Sequence, residues 1–232
     1  MSKLRLLMLH GYTQNKNVFE KKCGALRKSL KNHCEFQFID APFELTDKEE
    51  IKKYSGNSIG DENEKQLAWF IRNSNVYDGL DESVDYLLKF INENGPFDGI
   101  LGFSQGGIMA SIISKMIEED IEEIKQKYNS INLFKFNIIV SGFLPRDERV
   151  LDYYKKNSTI PSLFIIGERD DLVLPANSLK LKERYDNATL LTHEGGHFIP
   201  TKAIYKAEIL KFVNLHVDFN EPGDKNGLQV KL

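Results

Sequence analysis

The sequence predicts an α/β fold: a mostly parallel central sheet with helices on both faces. Three observations carry this. Short apolar runs without alternation, such as Leu4-Arg5-Leu6-Leu7-Met8-Leu9 and Ser162-Leu163-Phe164-Ile165-Ile166, suit strands buried on both faces. Longer stretches with apolar residues at helical spacing separate them. The two kinds alternate along 232 residues, an ordinary size for one domain. We expect that domain over residues 1–218 and a polar tail over 219–232.

In chain order, Leu4 to Leu9 is the first buried strand and ends at His10-Gly11. Asn17 to Lys31 follows as an amphipathic helix, with Val18, Cys23, Leu26 and Leu30 apolar. Glu35 to Asp40 alternates as a second strand, and Ala41-Pro42 stops it. Residues 43–75 are polar, contain glycine and show no clear period; only Leu67-Ala68-Trp69-Phe70-Ile71 stands out. A long irregular segment in a compact domain either covers a pocket or is a surface insertion. Asp81 to Asn94 carries Val84, Leu87, Leu88 and Ile91 at helical spacing, and Gly95-Pro96 ends it.

An apolar run from Phe97 to Leu101 then leads into Gly102-Phe103-Ser104-Gln105-Gly106, and Ile108 to Ile113 begins a helix that fades between Glu118 and Lys127. Phe134 to Val140 is another buried strand, leaving at Ser141-Gly142-Phe143. A short helix over Arg149 to Lys156 precedes the strand Ser162 to Ile166, which Gly167 ends. Leu179 to Tyr185 reads as helix, Ala188 to Thr192 as strand and Lys202 to His216 as a final amphipathic helix.

Composition narrows the function classes. Hydrophobic residues are 41% and charged residues 28%, which is globular. A net charge of −3 gives no electrostatic case for a nucleic-acid partner. The two cysteines, Cys23 and Cys34, cannot form a disulfide framework and suit a reducing compartment. Met1-Ser2-Lys3 leads straight into the first strand, and no apolar run approaches a membrane span, so a cytoplasmic protein is expected.

The motif around Ser104 is G-x-S-x-G between a strand and a helix, the setting of a nucleophile elbow. Alone it is weak, since chance supplies it in roughly one chain in a dozen of this length. A serine needs a base to take its proton, and the base needs an orienting carboxylate. Hydrolases on such sheets supply these in the order serine, acid, histidine, each after a strand. Gly167-Glu168-Arg169-Asp170-Asp171 follows one strand and offers the acid; Gly195-Gly196-His197 follows the last and offers the histidine. In a parallel sheet these positions share the carboxyl-end rim where ligands sit. The oxyanion hole needs backbone N–H groups, for which we expect the amides of Gln105 and of Tyr12 in His10-Gly11-Tyr12-Thr13. His10 itself reads as a structural residue that shapes this loop.

Rival readings exist. His193-Glu194-Gly195-Gly196-His197 matches H-E-x-x-H, a zinc-protease signature that works only on a helix. Two adjacent glycines cost such a helix about 1 kcal/mol each. A β-like run precedes them, Pro200 follows and Ala203 and Ala207 offer no third ligand, so no metal site is expected. Cys23 and Cys34 read as inert buried thiols.

Beyond these readings, Leu9-His10-Gly11-Tyr12-Thr13-Gln14-Asn15, Ile39-Asp40-Ala41-Pro42, Ala68-Trp69-Phe70 and Gly95 to Gly106 resemble the eukaryotic family of serine hydrolases, which includes small yeast hydrolases and the ovarian-cancer-associated esterase. Ser141-Gly142-Phe143, Gly167-Glu168-Arg169-Asp170 and Gly195 to Pro200 continue the likeness, which covers about residues 4 to 215. The resemblance implies an α/β-hydrolase fold, no cofactor, esterase activity and a Ser104, Asp170, His197 triad. Asp171 follows Asp170, and either can be the acid; the family's Gly-x-x-Asp spacing favours Asp170. The expected substrate is a small-molecule or lipid-like acyl ester, with Trp69, Phe70, Phe143 and Phe198 lining a pocket for medium or long chains. A thioester or a lysophospholipid would suit the same triad. A zinc metallopeptidase and a non-catalytic binding protein are the rival classes.

Overall fold

The computed structural model describes residues 2–55 and 64–217. The expected tail over 219–232 and part of the irregular segment, residues 56–63, lie outside them. In chain order the elements are β1 (Leu4–Leu9), α1 (Lys16–Lys22), α2 (Gly24–Leu30), β2 (Cys34–Ile39), β3 (Phe43–Glu44), α3 (Lys48–Ser55), β4 (Leu67–Ala68), β5 (Ile71–Asn73), β6 (Val76–Asp78) and α4 (Leu80–Asn94). There follow β7 (Gly99–Phe103), α5 (Gln105–Glu119), α6 (Ile121–Lys127), β8 (Phe136–Val140), α7 (Glu148–Leu151) with a 3-10 turn over Asp152–Tyr154, β9 (Ser162–Gly167), α8 (Pro175–Lys182), β10 (Ala188–His193) and α9 (Ala203–Asn214).

Six strands form one sheet in the order β10-β9-β8-β7-β1-β2, and every pairing in it is parallel. Side chains alternate between its faces with period two. Leu6 and Met8 join Leu101, Ile138 and Ile165 in one core, under Phe19 and Leu26 of the first two helices and Ile209 and Phe212 of α9. Leu7 and Leu9 join Ile100, Ile139 and Phe164 in the other, under Leu87 and Ile91 of α4 and Met109, Ile112 and Ile113 of α5. Each such side chain contributes roughly 1.5–3 kcal/mol by leaving water. The alternation of strand and helix in the sequence is this three-layer sandwich, as expected.

The strand order decides what meets at the rim. Leu9 lies opposite Gly102, so the loop after β1 and the turn after β7 emerge side by side. β8, β9 and β10 follow outward, and each sends its own loop to the same edge.

Three local differences from expectation have physical causes. The first helix begins at Lys16, because the Asn15 side chain accepts the Val18 amide at 2.9 Å and caps it. It breaks at Cys23, where Gly24, a poor helix former, opens α2. The segment after residue 43 is not irregular throughout: β3 pairs antiparallel with β4, and β5 with β6. Strands of two or three residues are too short to leave a readable period. Finally, α8 starts at Pro175 rather than Leu179, with proline in the first turn where its missing N–H costs nothing. No helix among the described residues is long and apolar enough to cross a membrane.

Candidate active site

Ser104 sits between β7 and α5 with φ 53° and ψ −117°, a strained conformation for a non-glycine residue. It is held there from both sides: its amide donates to Val140 O at 2.8 Å, and its carbonyl accepts Ile108 N at 3.1 Å. The flanking glycines are steric requirements. A Cβ on Gly102 would collide with the carbonyl oxygen of Gly106, and one on Gly106 would collide with that of Leu9. The glycines of G-x-S-x-G thus let the turn close against β1, and Ser104 stays partly exposed at the start of a 15-residue helix.

The candidate acid lies in the turn after β9. The carboxylate that reaches His197 is that of Asp170, with Oδ2 2.7 Å from Nδ1; the Asp171 side chain is exposed. The other Asp170 oxygen accepts the amides of Leu172 and Val173 at 3.1 and 2.8 Å. Burial pushes this carboxyl up, yet it lies below its ordinary value because His197, the Val173 amide and the nearby Ser141 hydroxyl favour the ionised form. With Nδ1–H donating to Asp170, Nε2 of His197 is left as the acceptor.

The histidine loop is fixed to the acid turn by Arg169 N donating to Gly195 O at 3.0 Å, and the His197 ring packs on Phe103, 4.8 Å between centroids. Ser104 and His197 line one cavity and make no hydrogen bond to each other in this structure. Contacts of that kind often tighten only when substrate is bound.

Gln105 and Tyr12 line the same cavity, and among the described residues neither amide is engaged. Gln105 N is one of the free amides of the first turn of α5. The loop bearing Tyr12 is shaped by its neighbours. Gly11 N donates to Gln14 Oε1 at 3.1 Å and Gln14 N to Gly11 O at 3.2 Å. His10 is fully buried; Nδ1 donates to Gly11 O at 2.8 Å and Nε2 accepts Ala41 N at 2.9 Å. Burial pulls its pKa down to about 4. His10 is a structural residue, tying this loop to the end of β2.

The cavity measures about 950 Å³. Phe70, Phe143 and Phe198 line it, with Ile108 and Val173. Trp69 does not: the expectation that it lines the pocket fails, because its ring is completely buried and its indole N–H donates to His10 O at 2.9 Å.

The competing motifs come apart in space. His193 ends β10 and His197 lies in the bend beyond it, so H-E-x-x-H is not on a helix. His193 is buried against Phe198 and Tyr205, while Glu194 pairs with Lys202 and Tyr205. Both cysteines are buried free thiols, and burial pushes each up to about 12. Sequence reasoning missed the strap from Leu67 to Phe70, which bonds to both the Tyr12 loop and Gln105; its one signal was an apolar run in a polar segment.

Residues 1–209 match the family described as Serine hydrolase (FSH1). The chain is 34% identical over 221 residues to Esterase OVCA2 of Xenopus tropicalis, covering 91% of this chain and 92% of that one. It is 35% identical over 221 residues to a Schizosaccharomyces pombe protein described as dihydrofolate reductase, covering 92% of this chain but only 48% of that longer one. In three dimensions it is similar to Zea mays acyl-protein thioesterase 2, with a TM-score of 0.62, 19% identity, and coverage of 94% of this chain and 95% of that one.

Proposed function

Since the chain belongs to the serine hydrolase (FSH1) family, with esterases among its near relatives, we propose a carboxylic-ester hydrolase in which Ser104, His197 and Asp170 act as one catalytic unit. The observation that carries this is the 2.7 Å contact of buried Asp170 with His197, whose ring lines the same cavity as a strained serine at a helix start. His197 Nε2 takes the Ser104 proton as Oγ attacks the acyl carbonyl. The amides of Tyr12 and Gln105 hold the oxygen as it becomes negative. Collapse expels the alcohol, which takes the proton from His197 and leaves an acyl-serine. A water, deprotonated by His197, then attacks the acyl carbon and releases the free acid, restoring Ser104.

The acyl arm lies along Phe70, Phe143 and Phe198, which favours medium or long chains. A cavity of about 950 Å³ is ample for such a chain. Thioesters and lysophospholipids offer the same acyl carbon to the same serine and differ only in the leaving group. Two buried free thiols suit a reducing cytoplasm.

Rates across p-nitrophenyl esters from acetate to decanoate test the substrate class. The expected maximum lies beyond butyrate, and a maximum at acetate rejects the acyl arm. A Ser104→Ala protein should show no turnover with any of them; full activity in that variant would reject the catalytic assignment.

A further inference from the structure

The Gln105 side chain is nine-tenths buried and reaches the backbone of another segment. Its Oε1 accepts Trp69 N at 2.8 Å and its Nε2 donates to Phe70 O at 2.7 Å. The pair is complementary in one sense only: an N–H and a C=O on successive residues need an acceptor and a donor on one planar tip. A primary amide supplies both; a carboxylate would set an acceptor against the Phe70 carbonyl.

The segment that Gln105 grips also holds the other side of the site. Trp69 Nε1 donates to His10 O at 2.9 Å. Thr13 N donates to Leu67 O and Leu67 N to Gln14 O, each at 3.0 Å. Asn15 Nδ2 donates to Lys65 O at 2.8 Å. Residues 65–70 therefore form a strap with the His10–Asn15 loop bonded at one end and the nucleophile turn at the other. Ser83 Oγ, donating to Trp69 O, ties the Gln105 end of the strap to α4.

Resting on the oxyanion reading above, we infer that the Gln105 side chain is a positioning residue that registers the Tyr12 amide against its own amide through this strap. The two donors come from loops after different strands, and a hole made from two loops works only if their spacing is fixed before the charge develops. The strap supplies that fixed spacing, and this is what residues 65–70, through β4 to the start of β5, do for the site.

The test is Gln105→Met, which keeps length and volume and removes both bonds. An alkyl trifluoromethyl ketone reports on the hole: Ser104 Oγ adds to its carbonyl, the proton passes to His197, and the hemiketal oxygen carries the negative charge. The expected result is a fall in kcat of roughly 10- to 100-fold, with the ketone's Ki rising by the same factor and KM for the ester within about threefold of the parent. A side chain that merely packs would lower the melting temperature without this matched shift. Unchanged kcat, or kcat and Ki that do not move together, overturns the inference.

Trp69→Phe, which removes the bond to His10 O and keeps an aromatic, though smaller, side chain, should show the same signature in smaller measure, and carries the test if Gln105→Met does not fold. In the unaltered protein, hydrogen exchange should find the Trp69 and Thr13 amides protected together; free exchange at Trp69 also overturns it. Full activity in Gln105→Met beside an inactive Ser104→Ala removes this inference alone, whereas an active Ser104→Ala removes the reading beneath it.

Discussion

Asp170 Oδ2 lies 2.7 Å from His197 Nδ1, while its Oδ1 is occupied by the amides of Leu172 and Val173. Both oxygens are thus committed, and the carboxylate can present only one edge to the imidazole. Its neighbour Asp171 has an exposed side chain and, among the described residues, no comparable bonds. Adjacent residues in one turn point in different directions, so only one of two chemically identical groups meets the His197 ring.

This relationship separates two substitutions that look equivalent. Asp170→Asn should lower kcat on the order of ten-thousandfold, because the histidine loses the partner that sets its tautomer. Asp171→Asn should stay within a few-fold of the parent. Steady-state kinetics on one p-nitrophenyl ester decides it, and a large loss in Asp171→Asn would move the acid by one residue.

Stability should depend on His10. Its pKa is about 4 in the folded protein against about 6.5 in the unfolded chain, because burial disfavours the imidazolium. The folded state therefore holds the neutral ring, and its contribution is complete above pH 6.5. That contribution is lost as the pH falls toward 4, amounting to about 3 kcal/mol in all. Urea midpoints between pH 7.5 and 4.5 should fall more steeply in the parent than in His10→Gln, and parallel curves would contradict the assignment.

Much of this architecture is legible in the sequence, and the limits are physical. Leu6-Leu7-Met8-Leu9 and Leu163-Phe164-Ile165-Ile166 announce strands buried on both faces, and their spacing places Ser104, Asp170 and His197 on one rim. The elbow is legible because its glycines answer a local steric demand. Between Asp170 and Asp171 only the spacing from Gly167 speaks in one dimension; which carboxylate meets the histidine depends on which way a turn points. The strap is hidden because its two-residue strands have no period and its bonds reach residues 35 and 59 positions away. Lys115 looks like a surface lysine on α5, yet it is fully buried, with its ammonium donating to Lys156 O at 2.6 Å. Trp69 misleads in the opposite direction: an aromatic near the site serves the core.

The thiols should be silent. Burial pushes both Cys23 and Cys34 up to about 12, leaving almost no thiolate at pH 8. Iodoacetamide at that pH should leave esterase activity intact and modify neither residue in the native protein. Both should react in urea. Inactivation of the native enzyme that tracks alkylation at either cysteine would place a thiol in the chemistry.

Phe143 lies partly buried where the cavity meets the core. Phe143→Ala should reduce kcat/KM for decanoate by about tenfold more than for acetate, since only the longer chain reaches the ring. An equal loss for both esters would mean that the substitution disturbs the site rather than the acyl arm.

Treating the protein with a fluorophosphonate and locating the adduct by peptide mass spectrometry asks directly whether Ser104 is the nucleophile. The expected result is a single modification on Ser104, inactivation in proportion to its occupancy, and neither labelling nor turnover in Ser104→Ala. An adduct on another residue, or a Ser104→Ala protein that still hydrolyses esters, would contradict it.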